Sequence, residues 1–165
     1  MRKLLATLAA IIAFGGGALG SIFVGGELVP FHYGPNAYAK PFLTIGAYFP
    51  MDTWGPCVTF GSDTPLVPDG WYFVAVEGDK KVSKAGYLGI GSAFYLDFKN
   101  FAIKNDSTWT IYFKGGVTLA KHLDGYIKFN IPLKADPAKP FFGSWISLGL
   151  DYWFDFGGEA EVVEG

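Results

Sequence analysis

The sequence predicts an all-β chain, an antiparallel up-and-down barrel of about eight strands behind an N-terminal signal peptide. Three observations carry this. The segment Trp145 to Phe156, WISLGLDYWFDF, puts Ile146, Leu148, Leu150, Tyr152, Phe154 and Phe156 on one face. Trp145, Ser147, Gly149, Asp151, Trp153 and Asp155 fall on the other, because a strand sends successive side chains to opposite sides. The same division recurs along the chain between Gly, Pro, Asn and Asp breakers, and no helical period appears after residue 20. Finally, 50% of the residues are hydrophobic and 18% aromatic, while only 17% are charged, against about a quarter in a typical soluble domain.

Taken in order, the first element is the leader. Residues 1–20 read MRKLLATLAAIIAFGGGALG. Arg2 and Lys3 form a basic start, Leu4 to Phe14 an apolar run too short for an ordinary spanning helix, and Ala18-Leu19-Gly20 a small-x-small cleavage site. A secretory signal peptide is expected, with a retained N-terminal anchor as the alternative. No later stretch approaches 18 uninterrupted apolar residues, so a membrane-embedded mature chain would not be a helical bundle. The expected barrel spans 21–156, and 157–165 form an acidic, solvated tail.

Eight strand segments follow. They run Ser21 to Pro30, Pro41 to Phe49, Pro56 to Gly61, Trp71 to Glu77, Gly86 to Phe98, Thr108 to Leu119, Gly125 to Leu133 and Trp145 to Phe156. The second, fifth, sixth and seventh alternate as clearly as the last. In the sixth, for example, Trp109, Ile111, Phe113, Val117 and Leu119 oppose Thr110, Tyr112, Lys114, Gly116 and Thr118. The odd-numbered connections are long: 31–40 (FHYGPNAYAK), 62–70, 99–107 and 134–143. Two even-numbered ones, PMDTWG and AKHLDG, are short, and the third, around 78–85, is longer than that pattern suggests.

The apolar face meets either a core or lipid. In a soluble barrel the opposite face would meet water, yet it carries Tyr87, Tyr95, Tyr112, Tyr126, Trp145 and Trp153 with several glycines. Glycine weakens a strand unless something approaches closely. In an inverted barrel those residues fill a narrow lumen, and aromatics such as Phe49, Phe98, Trp109, Tyr152, Phe154 and Phe156 form interfacial girdles. This phasing sends Ile127, Phe129, Ile146, Leu148, Leu150 and Phe154 toward lipid. It sends Glu27, Asp97, Lys114, Lys128 and Asp151, with Glu77 and Asp155, into the interior, where charge must be paired. The expected interior is a polar network that plugs the lumen. The competing reading is a secreted soluble barrel whose Ile127 and Leu148 line an apolar ligand pocket.

Little in the chain points to chemistry. The net charge of -2 gives no electrostatic case for nucleic acid. The single Cys57 excludes an internal disulfide, and no metal, cofactor or phosphate-loop pattern appears. His122, in AKHLDG with Asp124 nearby, reads as a turn histidine and His32, in FHYG, as a loop histidine. Neither has a nucleophile beside it in sequence. No catalytic residue is expected, with a lipid-modifying barrel enzyme using His122 or His32 as the remaining alternative.

Strand count, alternation, loop alternation and the terminal aromatic strand make the chain similar to the small eight-stranded outer-membrane β-barrel proteins of bacteria, over roughly Ser21 to Phe156. The resemblance implies an outer-membrane location, outer-membrane lipid and the barrel-assembly machinery as partners, and loops displayed toward extracellular ligands. It implies a structural, adhesive or envelope-stabilising role. In that family a terminal aromatic is read by the insertion machinery. Phe156 resembles that residue, although GGEAEVVEG follows it.

Overall fold

The alternating segments pair into a closed ladder. The computed structural model describes residues 20–33, 36–51, 54–63, 70–100, 102–103, 107–134 and 143–155. Residues 1–19 of the expected signal peptide 1–20, Phe156 as terminal aromatic and the tail 157–165 lie outside the described residues. The strands are β1 (Ser21–Tyr33), β2 (Asn36–Tyr48), β3 (Gly55–Ser62), β4 (Gly70–Lys81), β5 (Gly86–Lys99), β6 (Ala102–Ile103), β7 (Thr108–Ala120), β8 (Leu123–Pro132) and β9 (Trp145–Asp155). β6 is a two-residue extension of the β5 ladder. Each of the eight long strands runs antiparallel to its chain neighbours, and β9 pairs back onto β1. Closure removes the unpaired edge that an open sheet would expose.

Stepping across hydrogen-bonded partners, from Ser21 through Tyr48, Cys57, Glu77, Gly91, Tyr112 and Asn130 to Trp145, climbs the barrel. Extending the β9–β1 ladder returns to β1 roughly ten residues further on, a stagger that tilts eight strands by about 40°. On β7, Trp109 and Leu119 both face outward. The ten steps between them at ~3.3 Å and that tilt span about 25 Å, the height of an outer-membrane apolar band.

Several boundaries differ from the sequence expectation. The connection read at 31–40 is mostly strand: Phe31, His32 and Tyr33 pair with Tyr38, Ala37 and Asn36. His32 therefore sits on β1, not on a loop. Pro30 and Pro41 suggested breaks, but the β1–β9 ladder ends at Leu28 and the β2–β3 ladder at Leu43. Each proline stands past the last pair on its strand's far side, where no donor is needed. β4 likewise runs on through Gly78, Asp79, Lys80 and Lys81, which pair with Ile90, Gly89, Leu88 and Tyr87. That leaves 82–85 as the turn, and Val82, Ser83 and Gly86 close it by backbone hydrogen bonds. β8 starts at Leu123, so the AKHLDG turn contracts to Lys121 and His122. All three even-numbered connections are thus short, and both described ends of the chain lie on their side.

The two faces are chemically distinct. Ile127, Phe129, Ile146, Leu148, Leu150 and Phe154 all point outward. Outward aromatics stack near the loop side: Phe60 on Tyr72 (5.9 Å between centroids), Tyr72 on Phe98 (5.2 Å) and Phe94 on Trp109 (6.0 Å). Phe60, Tyr72 and Phe94 thus join Phe98 and Trp109, which the sequence assigns to a girdle. The outward hydroxyl of Ser92 donates to the Thr110 carbonyl (2.9 Å) and accepts from the Trp109 indole, so it meets the apolar surroundings already satisfied.

Candidate functional site

The interior has three levels. Toward the loop side, Phe42, Phe73, Tyr95 and Trp145 stack across the lumen. Phe42–Phe73, Phe73–Tyr95 and Tyr95–Trp145 centroids lie 5.5, 5.2 and 5.6 Å apart. With Val29, Trp71 and Ala93 they form the buried apolar core.

Beneath it lies a pair of matched polar modules. In one, Lys114 donates to Glu77 Oε1 (2.5 Å) and the Tyr112 hydroxyl to Glu77 Oε2 (2.8 Å). In the other, Lys128 (2.9 Å) and the Tyr126 hydroxyl (3.1 Å) donate to Glu27 Oε2, and Ser147 (2.6 Å) to Oε1. Asn130 supports Ser147 from β8 (3.1 Å). Lys114 and Lys128 are register partners on β7 and β8. The Lys128 ammonium lies 4.9 and 5.0 Å from the centres of the Tyr112 and Tyr126 rings, and Lys114 lies 4.8 Å from that of Tyr126. Ring faces thus supplement the carboxylates in holding both cations.

Glycine builds both modules. Gly91 lies between Tyr112 and Glu77 in the register, and Gly149 between Tyr126 and Glu27. A Cβ on either glycine would strike the tyrosine ring and hydroxyl. Each tyrosine therefore crosses a bare backbone to reach the glutamate one strand further on, the close approach that explains glycine in a strand interior. Gly116 under Tyr87, Gly46 under Phe23 and Gly61 under Phe73 repeat the arrangement.

Of the acids and lysines expected inside, Glu27, Glu77, Lys114 and Lys128 are thus brought together. Asp151 is buried on β9 with its Oδ1 unpartnered. Asp97 is not in this group. It is half-buried opposite Trp71, six positions along β5 from Gly91 and so about 20 Å along the strand, or about 15 Å toward the loops. Asp155 is paired with Ser21 through its backbone. Asp79, in a run that reads locally as a turn, is buried and lies 3.7 Å from Lys114. Only the continuation of β4 past Glu77 could have revealed it, and GDKK reads locally as a turn.

The third level is a cavity of about 340 Å³ at the turn side, lined among others by Ser21, Tyr48, Asp79, Tyr87, His122, Asp124 and Trp153. The His122 ring packs against Tyr152 with centroids 5.9 Å apart. Among the described residues no group of His, Cys, Asp and Glu has the geometry of a metal site.

An eight-stranded antiparallel barrel with an outward apolar belt and buried aromatic and polar side chains in its lumen has the fold of the small outer-membrane β-barrels. Among solved structures, Neisserial surface protein A (NspA) superposes with a TM-score of 0.53 at 12% identity, over 81% of this chain and 96% of that one. Ail, the attachment invasion locus protein of Yersinia pestis, aligns with a TM-score of 0.43 at 13% identity, over 83% and 99% of the two chains. No family model matches the chain, and no curated protein matches it in sequence.

Proposed function

We propose that this chain is a non-enzymatic bacterial outer-membrane protein with a plugged lumen, acting as a structural, adhesive or envelope-stabilising element that presents its loop side outward. The observation that carries the reading is the outer belt. Leu43, Leu88, Ile90, Phe113, Leu148 and Leu150, on four strands, are each more than half exposed. So large an apolar surface on a closed barrel requires lipid. The soluble reading needs Ile127 and Leu148 to line a pocket, and both point outward instead. The aromatic layer and the ion pairs beneath it support a lumen closed to ions. In this reading residues 1–20 are a removed signal, residues 157–165 form a solvated tail, the barrel-assembly machinery inserts the chain, and the loops meet extracellular ligands.

The test is expression of the full chain in a Gram-negative host. Fractionation with the outer membrane and heat-modifiable gel migration are expected. Recovery as a detergent-free soluble monomer would refute the assignment. The one observation favouring a hydrolase is that Ser21, His122 and Asp124 line one cavity. An altered lipid composition on replacing His122 with Ala would support that activity, and an unchanged one the non-enzymatic role.

A further inference from the structure

The turn-side cavity repeats the interior module with its centre missing. In both completed modules a tyrosine crosses a glycine on the neighbouring strand and its hydroxyl lands on a glutamate that also holds a lysine ammonium. Tyr87 crosses Gly116 in the same way. Its hydroxyl is buried and meets no acceptor. The indole Nε1 of Trp153, in the same cavity, is a second buried donor with no acceptor. Asp79 is only 8% exposed, and its Oδ1 faces no donor. The cavity thus holds two orphaned donors and one orphaned carboxylate oxygen, each costly to leave unsatisfied. Three aromatic side chains, Tyr48, Tyr87 and Trp153, line the same space, and rings of this kind favour an ammonium. The exposed lysines 81, 84 and 121 border it.

We propose that this cavity binds a small zwitterion, its ammonium on Asp79 and the aromatic rings, its carboxylate or phosphate on Tyr87, Trp153 and the bordering lysines. Such a molecule supplies what the internal modules contain, a cation and an oxyanion side by side. A cation alone leaves both donors orphaned and faces three lysines. An anion alone leaves the Asp79 Oδ1 orphaned and lies against that carboxylate's charge. The cavity volume admits a molecule of a few heavy atoms, with room for water. The shared chemistry, an ammonium joined by a short linker to an oxyanion, occurs in free amino-alkyl phosphates and amino acids and in ethanolamine lipid headgroups.

The full chain, folded in an uncharged glucoside detergent, is titrated with phosphoethanolamine, β-alanine, ethanolamine and inorganic phosphate. The readout is the Trp153 indole N–H resonance, assigned through a Trp153→Phe variant. At least one zwitterion is expected to shift that resonance saturably and to bind roughly tenfold more tightly than ethanolamine or phosphate, the loss expected for one charge-assisted contact. Asp79→Asn and Tyr87→Phe are each expected to weaken it several-fold while heat-modifiable migration is retained. Should Asp79→Asn fail to fold, Tyr87→Phe, which removes only a hydroxyl, carries the test. A second arm compares nanodiscs of ethanolamine-headgroup and glycerol-headgroup phospholipid. A Trp153 shift confined to the former identifies a lipid source for the same chemistry, and a response to free zwitterion alone identifies a soluble one. Binding of phosphate or ethanolamine as tight as that of the tighter-binding zwitterion, or no response to any zwitterion or headgroup, overturns the proposal.

Discussion

Replacing Glu27 with Gln tests whether the buried ion pairs carry the lumen's stability. Glu27 is 2% exposed and accepts from Lys128, Tyr126 and Ser147 at 2.9, 3.1 and 2.6 Å. Gln keeps the shape, its one oxygen can still accept from Tyr126, and its amide nitrogen meets the Ser147 hydroxyl as a donor, so the change removes the charge at nearly constant volume. It leaves the buried Lys128 ammonium with ring faces and no carboxylate of its own. Breaking a buried pair from one side costs about 3–5 kcal/mol. With a urea slope of about 2 kcal/mol per molar, the unfolding midpoint should fall by about 2 M. The assay is urea unfolding of the detergent- or lipid-folded barrel, followed by tryptophan fluorescence and by loss of the heat-modifiable band. A double variant, Glu27→Gln with Lys128→Met, removes both charges at similar volume and should recover to within about 1 kcal/mol of the parent, or exceed it. A single variant within about 1 kcal/mol of the parent, or a double variant no better than the single, would refute the reasoning.

Leu148→Arg places a charge on the outward belt, near mid-height of β9. In lipid it should cost about 2–4 kcal/mol, falling toward zero for the same change near the girdles; a variant as stable in vesicles as the parent would contradict a lipid-facing Leu148. Gly149→Ala drives a methyl into the Tyr126 ring, so about 1–3 kcal/mol of overpacking is expected, measured by the same unfolding assay, with the Tyr126 hydroxyl displaced from Glu27. In planar bilayers the parent should show no single-channel conductance, and joint truncation of Phe42 and Tyr95 to Ala should raise ion leakage by thinning the aromatic layer; conductance in the parent would sink the plugged-lumen proposal.

The class of fold, the phase of every clear strand and the sides taken by Ile127, Leu148, Lys114 and Lys128 are legible in the sequence because they are local. A period of two residues decides them, and a strand's phase needs no knowledge of its neighbours. Boundaries were less legible. The prolines at 30 and 41 and the GDKK run look like breaks, yet they are accommodated because ladders on β1, β2 and β4 start and stop at different heights. That stagger belongs to barrel closure and to no single segment.

The site divides the same way. Alternation determined that Glu27, Glu77, Lys114, Lys128 and Asp151 would face inward, and burial of charge implied that they would pair. Only the tertiary register decided which pairs form, that Asp97 stands well above them, and that Asp79 joins them while lining a cavity with Tyr87 and Trp153. The side chains hydrogen-bonded to Glu77 and Glu27 lie 35 to 120 residues from them in the chain. They meet because each step around a tilted barrel shifts the register, and because a glycine between two polar residues lets a side chain cross to the strand beyond.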